Sequence, residues 1–125
     1  MIKQLTALII GGEAGTLVRY FTAGAVYQAA GSAFPYGTLV VNLAGCGLIG
    51  FLTGLSQDKF VLSGEVRLLL MVGFCGAMTT FSTFIYESEA LIRDGQTLRA
   101  LFNVLISVTA GFLLFRLGIW AADVI

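Results

Sequence analysis

The chain has 125 residues, of which 58 % are hydrophobic and 11 % are charged, and it contains no histidine. Too few polar residues are present to cover a soluble core, so we predict an all-α integral membrane protein. Seven basic residues balance seven acidic ones, which argues against a nucleic-acid partner, since binding to nucleic acid requires a basic face.

Four apolar segments follow one another, each close to the roughly 20 residues that an α-helix needs to cross a bilayer. They lie at about residues 2–27, 35–55, 66–89 and 98–121. The links between them are short, so we predict a single membrane domain of four transmembrane helices over residues 1–125. The first segment is longer than the apolar part of a signal peptide and contains charges, so it is expected to remain as a helix.

The first segment combines small residues with two charges. Gly11, Gly12 and Gly15 predict a face along which another helix approaches closely. Glu13 lies deep in the apolar run, and an ionisable residue at that depth marks a candidate functional site. Arg19 lies nearer the other end, where its side chain can reach the headgroups or pair with an acid. The sequence leaves these two alternatives open.

The second segment has no charged residue, and Asn42 is its one strongly polar side chain. Asn42 follows Thr38 by four residues, so both side chains share a helix face, with Gly45 one turn further along. A buried Asn in a membrane helix either bonds to a neighbouring helix or lines a wet path. Pro35 is predicted to lie in the first turn of this helix, where its missing amide proton costs nothing.

The third segment contains the string GFCGAMTTFSTF, at which the sequence stops favouring a helix. Gly73 and Gly76 lack side-chain constraint, and the threonines that follow are β-branched, with hydroxyls that compete for backbone groups. We therefore predict that the helix is broken near Gly76, at the membrane midplane. Such a break survives only inside protein, at an ion or facing water, so it indicates a functional site. The alternative is a small-residue packing face.

Few polar side chains follow the break within the apolar segments. Glu87 lies one turn beyond Thr83, where it can either face an aqueous vestibule or form a solvated helix end, and we favour the solvated helix end. In the fourth segment Asn103 and Ser107 are four residues apart, so both can offer hydrogen bonds to the interior of a helix bundle.

Basic residues are divided almost evenly between the two sides of the membrane that four spans imply. One side holds Lys3, Lys59, Arg67 and Arg116, and the other holds Arg19, Arg93 and Arg99. The positive-inside rule then gives almost no preference, so dual topology and an antiparallel homodimer are expected. In that dimer the two breaks meet at one depth, where the carbonyls of Gly76 and Thr79 from both chains can surround a hard cation such as Na⁺.

Three strings resemble the Fluc (CrcB) family of fluoride channels. The third segment matches the family motif G-x-x-G-x-x-T-T-F-S-T-F at every fixed position, with Ala77 where a second glycine is more usual. The string PYGTLVVNLAG at 35–45 is similar to P-x-G-T-L-x-V-N-x-x-G. The string GGEAGTLVRY at 11–20 is similar to G-x-x-G-A-x-x-R-Y, with Thr16 in place of the alanine.

The resemblance implies a passive fluoride-selective channel in the bacterial plasma (inner) membrane, which exports cytoplasmic fluoride and so confers fluoride resistance. It implies two pores per antiparallel dimer and a central structural Na⁺, not transported, on the Gly76 and Thr79 carbonyls. In each pore Phe81 and Phe84 come from one subunit and Asn42 from the other side of the interface, with electropositive ring edges toward the anion. Hydroxyls along the path are assigned to Thr38, Ser82, Thr83 and Ser107, and Arg19 is assigned a structural role near the aqueous entrance.

Two other classes of function remain open at this point. A small multidrug exporter is also a short, four-span, dual-topology dimer, in which Glu13 would be the proton and cation site. An integral-membrane enzyme or an assembly scaffold is the second. The chain has no histidine, no clustered acids and no nucleophile beside a base, so we expect that it is not an enzyme.

Overall fold

The computed structural model describes residues 1–58 and 62–125. Lys59, which was assigned to one side of the membrane, lies outside the described residues. Over the described ranges the chain forms helices and short links without a β-strand. The helices are α1 (Ile2–Ala30), α2 (Tyr36–Asp58), α3 (Gly64–Arg67), a π-helix (Leu68–Cys75), α4 (Gly76–Met78), α5 (Phe81–Arg93) and α6 (Thr97–Asp123).

Three helical stretches within the described ranges are long and apolar enough to cross a membrane. They are Tyr36–Ser56, Gly64–Arg93 and Thr97–Asp123. The helix α1 has 29 residues, which is ample length for a span, but Glu13 and Arg19 interrupt its apolar residues and it falls outside this set. The protein is therefore an all-helical, multi-pass membrane protein, and the count of four spans stays a prediction.

Glycines with positive φ form the turns of the two links at one end of the bundle. Gly31 and Gly95 have φ values of 80° and 75°, a conformation that glycine adopts without the steric penalty of a side chain. The helix α1 continues past Tyr27 to Ala30 before the first of these turns. Pro35 precedes α2 and does not lie in its first turn as predicted, although its carbonyl accepts a hydrogen bond from the Leu39 amide at 3.0 Å.

The helix α1 packs chiefly on the π-helix through small residues. A Cβ added at Gly11 would lie 2.1 Å from the Leu69 carbonyl oxygen, and one at Gly15 would lie 2.2 Å from that of Phe74. Only glycine permits such an approach of two backbones. The predicted small-residue face is confirmed at these two positions and is wrong at Gly12, where a Cβ would meet nothing within 4 Å.

A second glycine contact joins α2 to α6, the pair of helices with the most extensive packing in the described chain. A Cβ at Gly50 would lie 2.2 Å from the Phe115 carbonyl oxygen, and one at Gly118 would lie 2.3 Å from that of Gly47. Our sequence interpretation did not single out these glycines. Close backbone contact replaces the hydrophobic effect, which does not drive helices together in lipid.

The third helical stretch is interrupted at Thr79 and Thr80, so the predicted break is confirmed. Both residues are extended, with φ −89° and ψ 157° at Thr79 and φ −151° and ψ 119° at Thr80. Gly76 itself is helical, with φ −63°, so the predicted position of the break was three residues too early. The π-helix before it spans 8 residues and was not predicted. Such segments are frequent at functional sites.

The matched pair Gly11→Ala and Gly12→Ala tests the contact between α1 and the π-helix. We expect Gly11→Ala to lower the free energy of unfolding by about 1–3 kcal/mol, because the added methyl overlaps a backbone carbonyl. Gly12→Ala should be neutral or slightly stabilising, since alanine favours a helix. Thermal unfolding of both variants in detergent measures the difference, and equal unfolding temperatures would contradict the packing described here.

Candidate ion pathway and cation site

One side chain satisfies both backbone groups at the helix break. Asn42 Nδ2 donates to the Thr80 carbonyl at 3.0 Å, and the Thr80 amide donates to Asn42 Oδ1 at 2.7 Å. Lipid offers no partner for freed backbone groups, so this paired bond allows an extended residue at membrane depth. Of the two roles considered for Asn42, bonding to a neighbouring helix is observed. We call this pair of bonds the Asn42–Thr80 clamp.

Threonine hydroxyls complete the two helix ends at the break. Thr80 Oγ1 accepts from the Thr83 amide at 3.3 Å, so it caps the N-terminus of α5. Thr79 Oγ1 donates to the Cys75 carbonyl at 3.0 Å, which closes the end of α4. The predicted competition of these hydroxyls for backbone groups is confirmed.

These bonds divert the amides that would otherwise continue the helix. In a regular helix the Thr80 amide bonds to the Gly76 carbonyl and the Thr83 amide bonds to the Thr79 carbonyl. Here the first amide donates to Asn42 and the second to the Thr80 hydroxyl. The carbonyls of Gly76 and Thr79 therefore lose their usual helical donors, and these are the two carbonyls that were assigned to a cation.

A pocket of about 270 Å³ lies at the break. Among its lining residues are four of the predicted site residues, Asn42, Gly76, Thr79 and Phe81. Gly45 also lines it, and a Cβ there would lie 2.2 Å from Thr79 Cγ2. Gly45, the last residue of the string at 35–45, therefore leaves space for Thr79 at the helix break. Asn42 and Phe81 of one and the same chain meet at this pocket.

The two phenylalanines of the motif contact each other. The ring centroids of Phe81 and Phe84 are 5.8 Å apart, with the ring planes at 44°. Phe81 is 74 % exposed while Phe84 is 7 % exposed, so the outer ring is free to contact something beyond this chain.

Asn103 of α6 is hydrogen-bonded to Ser88 of α5. Ser88 Oγ donates to the Phe84 carbonyl at 2.8 Å and accepts from Asn103 Nδ2 at 3.0 Å. Asn103 thus bonds into the bundle interior, as predicted.

A larger open cavity of about 980 Å³ reaches the break from one side. Its polar lining includes Arg19, Thr38, Thr80, Thr83 and Glu87. The structure therefore brings Thr38 and Thr83 together along one surface. Arg19 lines the same cavity and, among the described residues, takes part in no ion pair.

Glu87 is not the solvated helix end that we predicted. Its Oε1 accepts from the Tyr27 hydroxyl at 2.8 Å and from Thr38 Oγ1 at 2.9 Å, and its Oε2 is buried with no partner among the described residues. The reason is that Tyr27 of α1 and Thr38 of α2 both reach Glu87 from neighbouring helices. A spacing of four residues from Thr83 places Glu87 on the face of α5 that lines the cavity, and this spacing was the available clue.

Comparison with known proteins identifies the family. The family described as CrcB-like protein, Camphor Resistance (CrcB), matches residues 6–119. A protein of Citrifermentans bemidjiense is 43 % identical over 121 residues, covering 97 % of this chain and 98 % of that protein. A protein of Desulforapulum autotrophicum is 45 % identical over 119 residues, covering 95 % of each chain. Both are named fluoride-specific ion channel FluC.

The chain belongs to the CrcB-like family. The resemblance that the three strings carry is thereby confirmed. A third relative, from Nitrosococcus oceani, bears the same channel name and is 36 % identical over 125 residues, covering 100 % of both chains. Membership of a family of ion channels also confirms that this protein is not an enzyme.

Two predicted residues of this CrcB-like chain stay apart from the cavities at the break. Ser82 is exposed and Ser107 is half-buried on α6, where its Oγ is enclosed without a partner among the described residues. Neither belongs to the lining of the 980 Å³ cavity or of the 270 Å³ pocket. Their assignment to an ion path stays a prediction.

Replacing Asn42 by alanine tests the Asn42–Thr80 clamp. We expect the free energy of unfolding to fall by about 2–4 kcal/mol, because two backbone groups lose their partner and each costs about 1–3 kcal/mol when left unpaired. Hydrogen exchange at the Thr80 amide should accelerate. Thr53→Ala is the control, since the one hydrogen bond of the Thr53 hydroxyl among the described residues is to the Ile49 carbonyl of its own helix. An Asn42→Ala protein with normal stability and a protected Thr80 amide would exclude the clamp.

Proposed function

We propose that this protein is a passive, fluoride-selective channel of the bacterial plasma membrane that exports cytoplasmic fluoride. One observation carries the proposal most directly. The helix break, Asn42 and Phe81 share one pocket, in a chain whose relatives are named fluoride-specific ion channels. The break supplies polar groups at membrane depth, and the names of the relatives indicate that the transported anion is fluoride.

The chemistry of the pocket suits a small anion. Fluoride is strongly hydrated, so a path through the membrane must replace its water with donors and positive edges. The amide of Asn42 has one N–H beyond the bond to Thr80, and the rim of the Phe81 ring that lines the pocket is electropositive. Phe84 does not line the pocket but packs against the Phe81 ring.

We assign hydroxyl donors along the path to Ser82, Thr83 and Ser107. Thr38 was also assigned to the path, but its one hydroxyl hydrogen is donated to Glu87 Oε1, so it would donate to an anion only after leaving that carboxylate. We propose that transport is passive, with fluoride moving down its own gradient.

The functional unit that we propose is an antiparallel homodimer with four spans per subunit and two pores. The exposed ring of Phe81 supports this arrangement, since a pore requires a second wall opposite it. The even division of basic residues supports insertion in both orientations. The family resemblance implies that Asn42 lies across the interface from Phe81 and Phe84. Since Asn42 and Phe81 of one chain already line one pocket, we propose that the partner subunit supplies the facing wall of each pore.

We further propose a structural Na⁺ at the centre of this dimer, which is not transported. The residues fit the ion, because the carbonyls of Gly76 and Thr79 have lost their helical donors to Asn42 and Thr80. Two chains would offer four such oxygens, the donor type that hard cations prefer. When bound, the ion supplies positive charge that holds the two breaks together.

The proton-coupled exporter finds no support in the surroundings of Glu13. Its side chain is exposed on α1 and lines a separate groove of about 540 Å³ together with Gly12 and Thr16. Glu13 does not line the cavity or the pocket at the break. The channel is therefore the one function that we propose.

Fluoride efflux from liposomes tests the channel directly. Liposomes are loaded with KF and efflux is started with valinomycin, with chloride as the paired anion. We expect rapid fluoride efflux without chloride flux, and loss of most of it in Phe81→Ile, since isoleucine lacks an electropositive rim. Phe112→Ile is the matched control, because Phe112 is an exposed phenylalanine of α6, 66 % accessible and distant in sequence from the break.

A folded dimer without fluoride flux would overturn the channel, and a scaffold would behave in this way. Drug or proton flux that disappears in Glu13→Gln would establish the exporter in its place. Equal loss of flux in the Phe81 and Phe112 variants would remove Phe81 from the pore while leaving the channel standing.

Removal of sodium tests the cation. We expect a higher unfolding temperature and a larger dimer fraction in NaCl than in KCl or choline chloride of equal ionic strength. A ligand that binds only the folded dimer stabilises it by about 1.4 kcal/mol for each tenfold excess over its Kd. Identical unfolding in the three salts would contradict a sodium site.

A further inference from the structure

Tyr27, Thr38 and Glu87 form a hydrogen-bonded cluster that joins three helices. The Tyr27 hydroxyl and Thr38 Oγ1 lie 3.4 Å apart, and both donate to Glu87 Oε1, at 2.8 Å and 2.9 Å. The other carboxylate oxygen, Oε2, is buried with no partner among the described residues.

The place of Tyr27 is set by the backbone of α2. A Cβ at Gly37 would lie 2.5 Å from Cε2 of the Tyr27 ring, so the ring occupies the space that this glycine leaves. Its hydroxyl is thereby directed to α5. The cluster is therefore built into the packing of α1 against α2 and does not depend on a mobile surface contact.

Two cavities meet at this cluster. The 980 Å³ cavity extends to Thr80 and Thr83 at the helix break. A second cavity, of about 380 Å³, is lined by residues of the two links at one end of the bundle, including Ser32 and Asp94. Among the residues that the structure describes, Tyr27 and Glu87 alone line both cavities. The pair therefore forms the wall between the links and the part of the cavity that reaches the break.

We propose that Tyr27 is a positioning residue for ion passage, whose hydroxyl holds the Glu87 carboxylate against α1 and α2 and so keeps its charge from facing the path. The inference rests on the proposed fluoride channel. A fixed negative charge in a narrow entrance lowers the local concentration of an anion and slows its entry. With two donors on Oε1, the carboxylate is bonded at the wall between the cavities. Without the Tyr27 hydroxyl it regains freedom to turn toward the water of the larger cavity.

The experiment is a double-mutant cycle on fluoride efflux from liposomes. Tyr27→Phe removes the hydroxyl and leaves the ring on Gly37, and we expect efflux to fall by about tenfold, the lower range of electrostatic effects on ion entry. In the Glu87→Gln background the same tyrosine substitution should have no effect, because the repelling charge is gone. Tyr86→Phe, which removes a hydroxyl from an exposed neighbour on α5, is the matched control and should conduct normally.

Each outcome decides between alternatives. Normal efflux in Tyr27→Phe overturns the proposal, and so does an equal loss of efflux in both backgrounds, which would mean that Tyr27 acts without the carboxylate. If Tyr27→Phe does not form the wild-type dimer on gel filtration, Thr38→Val removes the other donor to Glu87 Oε1 and should show the same dependence on Glu87. Absence of flux in the wild-type protein would instead refute the channel itself, so the two failures are distinguishable.

Discussion

The demand that every backbone group in lipid find a partner determines the centre of this protein. An extended residue at Thr80 exposes an amide and a carbonyl where hydrocarbon offers neither donor nor acceptor. The Asn42–Thr80 clamp supplies both from one side chain. Gly45 must then lack a side chain, because Thr79 occupies the space where its Cβ would lie. The string at 35–45 therefore supplies the side chain and the space that the helix break in the string at 73–84 requires.

Two glycine-packed helix pairs surround this centre. The helix α1 approaches the π-helix at Gly11 and Gly15, and α2 approaches α6 at Gly50 and Gly118. Polar side chains link one pair to the other. They are Asn42 to Thr80, Thr38 to Glu87, and Asn103 to Ser88. Close backbone packing therefore holds each pair of helices together. The polar groups that can still contact an ion lie between the two helix pairs.

Predictions from local chemistry succeeded where one segment holds all the determinants. The low helix propensity near the threonines could be recognised from the sequence, because β-branching and the competition of hydroxyls for backbone groups act within a few residues. Its position was missed by three residues, because the choice between Gly76 and Thr79 depends on which amide meets Asn42 from another helix. Glu87 was misjudged for a similar reason. Its partners Tyr27 and Thr38 lie on other helices, and spacing along α5 does not reveal them.

The sequence by itself determined the membrane class, the apolar segments, the presence of a break and the family, because composition, segment length and short motifs are local properties of the chain. Only the tertiary structure decided which carbonyls lose their helical donors, which glycines carry backbone contacts and where the Glu87 carboxylate points. Those features depend on the relative position of helices. Position follows from the sum of many packing contacts and hydrogen bonds between residues that are far apart in the sequence, and no single segment contains it.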